Sequence, residues 1–129
     1  MQDPLPESAH ELGIRGEQAA LHYLERCGYE ILERNWHCFA GEADIIARDE
    51  DTLVFVEVKT RSDVTCGLPS EAVDKKKRAR YEKIALSYIS TYEQQECPLR
   101  FDVISILFAD THRALLRHHI NAFASTKDL

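Results

Sequence analysis

The sequence predicts an α/β protein whose elements run αβββαββ, and three observations lead there. Apolar residues recur at helical spacing in two stretches, roughly 9 to 27 and 70 to 92. Around them lie short runs rich in β-branched and aromatic residues, bounded by turn-formers. The most apolar run, Leu53-Val-Phe-Val-Glu57-Val-Lys59, reads as a buried strand, yet it carries a carboxylate and an ammonium two positions apart. A chain of 129 residues is most simply one domain, 1–129. Such a chain buries roughly two-thirds of its surface, enough for a sheet with helices packed on it.

Pro4 and Pro6 make an irregular lead-in, and Ser8-Ala-His-Glu11 has the form of a capping box. Leu12, Ala19, Ala20, Tyr23, Leu24 and Cys27 mark the apolar face of a first helix, which Gly28 ends. Gly16 falls on that face, implying close approach to a sheet, and Glu17 lies on its flank, able to reach round. Tyr29 to Asn35 alternates apolar and polar residues as a first strand, with Trp36 to Ala40 its continuation or a turn. Gly41 permits the bend into a second strand, Glu42 to Arg48. Asp49-Glu-Asp51 is a solvated turn before the third strand, Leu53 to Thr60. Arg61 to Ser70 is a loop by composition, placed to form a substrate-facing flap. Ser70 caps a second helix with Val73, Tyr81, Ile84, Ala85, Tyr88 and Ile89 as its core stripe. After a polar connector, Arg100 to Leu107 and Ala114 to Ile120 read as two more strands.

No apolar run approaches the ~20 residues needed to cross a membrane. The N-terminal residues carry neither a basic nor an apolar leader region, so the expected location is the cytoplasm. Cys27, Cys38, Cys66 and Cys97 are widely spaced without a CxxC, and free thiols are expected. The histidines form no metal-binding grouping; His118 and His119 are adjacent and face opposite ways in a strand. A formal charge of −6 argues against indiscriminate nucleic-acid binding, though not against a local basic rim beside an acidic site.

The chemistry centres on three residues. Side chains at i and i+2 of a strand share a face about 7 Å apart, so Glu57 and Lys59 can converge. A hairpin of the second and third strands would bring Asp44 beside Glu57. An isolated ExK in a strand is most simply an ion pair. Here the flanking Val54, Phe55, Val56 and Val58 imply burial, where charge is costly and replaceable by apolar residues, which favours a functional site. Magnesium binds through one or two carboxylates, waters and substrate phosphate. Asp44 and Glu57, with the Val58 carbonyl, can supply such a site for magnesium, or manganese in its place, with Lys59 acting on an attacking water and Glu17 a further acid. Lys77 falls on the apolar line of the second helix and so points towards the site or a phosphate. Lys75 and Arg78 beside it, and Arg61 and Ser62 just past Lys59, are further candidates for backbone phosphate. Arg100 and Asp102 read as a salt-bridged structural pair.

In combination, Asp44, Glu57 and Lys59 resemble the PD-(D/E)xK nuclease signature. The wider pattern of Gly16-Glu17, Gly28-Tyr29, Asn35-Trp36, Gly41-Glu42-Ala43-Asp44, Phe55-Val-Glu-Val-Lys-Thr-Arg61, Lys77 and Arg100-Phe-Asp-Val103 looks like the bacterial YraN-like family. That family resembles archaeal Holliday-junction resolvases. The resemblance spans nearly the whole chain and implies a restriction-endonuclease-like fold, a central mixed sheet flanked by helices. It also matches Glu17, Asp44, Glu57 and Lys59 to the four active-site positions. His37 departs from an expected arginine and Ala43 from an expected isoleucine; neither is among those four.

The resulting expectation is a magnesium-dependent endonuclease acting on DNA, branched or otherwise structured, with a homodimer attractive for cutting both strands of a symmetric junction. The rival is a non-catalytic nucleic-acid-binding module of the same fold, against which the intact acidic set argues, since a pure binder gains nothing from acids facing phosphate. A third reading, an interaction domain without nucleic acid, draws on the charge of −6.

Overall fold

The computed structural model describes residues 8–62, 75–92, 96–110 and 112–122. Its elements are α1 (Ala9–Arg26), β1 (Glu30–Cys38), β2 (Gly41–Asp49), β3 (Thr52–Arg61), α2 (Lys75–Tyr92), β4 (Leu99–Phe108) and β5 (Ala114–His119). The order αβββαββ is the expected one. The strands form one mixed sheet in the order β1-β2-β3-β4-β5. Only β3 and β4 are parallel; the other neighbours are antiparallel. A parallel pair needs a long crossover, and α2 supplies it. The arrangement, with two helices flanking the sheet, is consistent with a restriction-endonuclease-like fold.

Period-two alternation divides the core between the two sheet faces. Val54 and Val56 join Ile45, Ala47, Ile104 and Ile106 against Ala20, Leu21 and Leu24 of α1. Leu53 and Phe55 join Ile46 and Val103 against Tyr81, Ile84, Ala85 and Tyr88 of α2. On the second face Tyr88 meets both Trp36 and Phe55 edge-on, at centroid distances of 5.2 and 5.9 Å. The odd positions of β3 therefore face α2, and Glu57 and Lys59 continue that row.

Ser8 caps α1 by accepting the Glu11 N–H at 3.1 Å, as its position in the capping box requires. Leu21, absent from the predicted stripe, is buried, whereas Cys27 is exposed at the helix C-cap, so the apolar face is centred slightly differently. Trp36 to Cys38 continue β1, which settles the open choice between strand and turn; Phe39 and Ala40 make the turn. The described part of α2 begins at Lys75, so Ser70, Val73 and most of the predicted flap lie outside the described residues. Cys27, Cys38 and Cys97 are free thiols; Cys66 also lies outside the described residues. No described helix is long and apolar enough to cross a membrane.

The face under α1 holds a buried polar network. Fully buried Asp102 accepts from Arg100 Nε and Nη2, both at 2.9 Å, and from the Asn121 N–H at 2.9 Å. His118 Nε2 lies 2.7 Å from Asp102 Oδ2, and its Nδ1 lies 3.0 Å from the Tyr23 hydroxyl of α1. Arg100 also donates to Asp49 at 3.0 Å and to the Tyr29 hydroxyl. Burial pushes the Asp102 carboxyl up, but the bonds from His118, Arg100 and the Asn121 N–H outweigh it and hold the group below the usual range. Arg100 and Asp102 are thus the structural pair expected, within a cluster that joins α1, β2, β4 and β5.

Gly16 explains how closely α1 lies on β3. A Cβ at this position would stand 2.0 Å from Thr60 Oγ1 and 3.1 Å from Thr60 Cβ. A branched side chain there forces helix and strand apart, an overpacking that costs about 1–3 kcal/mol. Gly16→Val is therefore expected to lower the unfolding free energy obtained from urea titration by that amount, and Thr60→Ala in the same background to recover part of the loss.

Candidate active site

The site forms where β2 parts from β3. The β2–β3 ladder runs from Asp49↔Thr52 to Ile45↔Val56. One residue on, Asp44 accepts the Val58 N–H through Oδ2 at 2.8 Å, a side chain standing where a backbone carbonyl would. On the other side, the pairs Arg34↔Ile45 and Trp36↔Ala43 leave Asn35 opposite Asp44. Asn35 adopts φ 51°, a left-handed conformation that asparagine tolerates better than most residues.

Four carboxylates gather here. Asn35, with its amide nitrogen turned towards the acids, donates to Glu42 at 2.8 Å and to Glu17 of α1 at 3.3 Å. Burial pushes the Asp44 carboxyl up to about 7; the Val58 N–H opposes this, and the charges of Glu17, Glu42 and Glu57 add to it. Glu57 pairs through Oε1 with Lys77 of α2 at 2.9 Å, while its Oε2 is buried without a hydrogen-bond partner. Burial lowers the Lys59 ammonium, as does the neighbouring Lys77 charge, partly countered by Glu57. Burial also raises the Tyr81 hydroxyl, with the charges of Glu57 and Asp44 next in effect, so α2 presents a neutral phenol to the acids.

The hairpin therefore brings Asp44 to Glu57, and Glu17 reaches round from the helix flank. Lys77 turns inward, as its place on the apolar line implied, and pairs with Glu57. Arg61 and Ser62 are exposed at the C-terminal end of β3, and Lys75 is exposed and Arg78 half-buried in the first turn of α2. The contact seen at Val58 is its N–H. Glu42 and Asn35 escaped the sequence reading. Glu42 is two residues from Asp44, the same spacing that singled out Glu57 and Lys59; Asn35 needed the left-handed backbone, which no spacing reveals.

Among the described residues no three His, Cys, Asp or Glu side chains form a ready cation cage. The donor set instead fits a hard cation that takes one or two carboxylates and completes its shell with water and phosphate oxygens, as magnesium does. Two features favour that fit. Glu57 Oε2 is a buried oxygen without a partner, and Asp44 is held among like charges that a cation would offset.

Residues 16–106 match the model of the uncharacterised protein family UPF0102. A UPF0102 protein of Geobacter sulfurreducens is 43% identical over 123 residues, covering 93% of this chain and 96% of its own. One from Dictyoglomus thermophilum is 44% identical over 114 residues, covering 88% and 97%. One from Geobacter metallireducens is 47% identical over 112 residues, covering 87% and 91%.

Because the folded-state value of Asp44 lies above the ~3.9 of an unfolded aspartate, folding takes up a proton between about pH 4 and pH 7. Its contribution to stability is present in full at the acid end, falls as pH rises through that window and is level above it. Asp44→Asn keeps an acceptor for the Val58 N–H and removes the titration. Urea unfolding is expected to show the variant more stable than wild type at pH 8, with the difference shrinking towards pH 4.

Proposed function

The chain belongs to the UPF0102 family, and from the geometry of its acid cluster we propose that it is a metal-dependent endonuclease hydrolysing DNA phosphodiester bonds, with branched or structured DNA as substrate. One observation carries the reading: Asp44, half-buried and among three further acids, faces Glu57 with its unpartnered buried oxygen, while Lys59 extends along the same strand face. Accumulated negative charge in a partly buried site is unfavourable for stability alone, and makes sense where a cation and a phosphate are to be bound. The likeness to PD-(D/E)xK nucleases and to archaeal Holliday-junction resolvases supports the same reading.

In this proposal the carboxylates of Asp44 and Glu57, with the Val58 carbonyl, hold Mg2+, for which Mn2+ can stand in. A bound divalent cation supplies a Lewis acid that lowers the pKa of water and offsets charge on the phosphate. The Val58 N–H fixes the Asp44 carboxylate before substrate arrives, so little reorganisation is needed. Glu17 and Glu42, held together by Asn35, keep the potential at Asp44 negative. Lys59 sits two residues beyond Glu57 with its proton affinity lowered, suited to orienting water and moving a proton. Lys77 holds Glu57 in place until the cation binds. Arg61, Ser62, Lys75 and Arg78 contact the DNA backbone around the site. A homodimer would give two such centres for a symmetric junction.

Calorimetry with manganese is expected to show binding to wild type, alone or once DNA is present, and loss of that binding in Glu57→Ala. Asp44→Ala should abolish manganese-dependent cleavage of a four-way junction while remaining folded, and Lys59→Met should slow it by about 10²–10³-fold. Retained cleavage by purified Asp44→Ala excludes the assignment. DNA binding that weakens with salt but never leads to cleavage would instead identify the non-catalytic module.

A further inference from the structure

Beyond Lys59 the α2-side face of the sheet continues towards β5. Parallel pairing sets Lys59 opposite Ser105, and antiparallel pairing sets Ser105 opposite Arg117. Cross-strand partners point to one face, so Lys59, Ser105 and Arg117 form a single row from β3 to the edge strand. Two strand spacings separate its ends, about 10 Å. The row one step back is Glu57, Val103 and His119, so the new row lies directly beside the acid site.

Ser105 is the anomaly in this row. The other residues on that face of β4 are Leu99, Phe101, Val103 and Leu107, all apolar. Ser105 is 4% exposed, and its Oγ has no hydrogen-bond partner. An unsatisfied buried hydroxyl is destabilising, and alanine would fit the strand without that cost. Its neighbours across the strands are both cationic, Lys59 half-buried on one side and Arg117 exposed on the other. A hydroxyl donor between an ammonium and a guanidinium is a donor set for an anionic oxygen.

We propose that Lys59, Ser105 and Arg117 form a phosphate subsite that takes a backbone phosphodiester of DNA next to the scissile one and leads the strand across β4 towards β5. The inference rests on the nuclease reading for its substrate class and adds a direction to it. DNA carries one phosphate per ~3.4 Å of axis on each strand, so a backbone crossing the row meets it within about three nucleotides. Ser105 Oγ–H and the Arg117 guanidinium donate to the non-bridging oxygens, and Lys59 lies where the subsite meets the acids. Ser105 and Arg117 are positioning residues.

The test is fluorescence anisotropy of the full chain with a labelled four-way junction in calcium, titrated with salt, alongside cleavage in manganese. Arg117→Ala is expected to weaken binding about tenfold and to lower the salt slope by about one, whereas Lys83→Ala, an equal loss of charge at an exposed site on α2, leaves both unchanged. Ser105→Ala should weaken binding about fivefold with the salt slope unchanged and the thermal midpoint the same or higher, since no intramolecular bond is lost. A lower midpoint with unaltered binding, or an Arg117→Ala variant that behaves like Lys83→Ala, overturns the subsite. If wild type cleaves but Arg117→Ala binds normally, the subsite falls and the nuclease reading stands. If the variants lose binding as stated but wild type never cleaves, the subsite stands and the nuclease reading falls. If wild type binds no DNA, both fall.

Discussion

A single hydrogen bond, from the Val58 N–H to Asp44 Oδ2, organises the working end of this molecule. It ends the β2–β3 ladder with a carboxylate in place of a carbonyl. The bond favours the charged form of Asp44, yet burial and three neighbouring acids prevail and raise the group to about 7. The site thus concentrates negative charge around a carboxyl that burial makes reluctant to ionise. Everything around it serves to hold that balance: α1 brings Glu17, β1 brings Asn35, and α2 brings Lys77 to Glu57.

The two faces of the sheet divide the labour. Under α1, Asp102 collects three charged or polar partners and is satisfied, so its charge is stable within the core. On the α2-side face, Glu57 Oε2 and Ser105 Oγ are left without partners. Satisfied buried polar groups specify a structure; unsatisfied ones point to ligands. Asp102 is fully buried and Asp44 half-buried, and their opposite shifts follow from this difference in partners.

Helix packing connects the two faces. α1 can approach β3 at Gly16 because no Cβ intervenes against Thr60. That contact is one residue from Glu17 and one from Lys59, so the spacing of helix and strand also sets the spacing of two candidate site residues. On the opposite side, Gly41 has φ 142°, and a Cβ there would stand 3.3 Å from Arg80 of α2. The turn that leads into Glu42 and Asp44 thereby sits tightly beneath the second helix.

Much of this was legible in the chain itself. Period and capping residues determined the element order, because helix and strand repeats differ and Ser8, Gly28 and Gly41 mark ends that local geometry enforces. Alternation alone placed Glu57 and Lys59 on one face, and charge inside an apolar strand marked that face as unusual. The tertiary structure decided what local periodicity does not encode. It turned Asn35 into the left-handed region, tied Glu42 to Glu17 across two elements, and paired Lys77 with Glu57. It also aligned Lys59, Ser105 and Arg117, which lie 46 and 12 positions apart in sequence and meet only through strand register. Register between distant strands is a property of the assembled sheet, since each strand's own pattern fixes which face a residue takes but not which residue stands beside it.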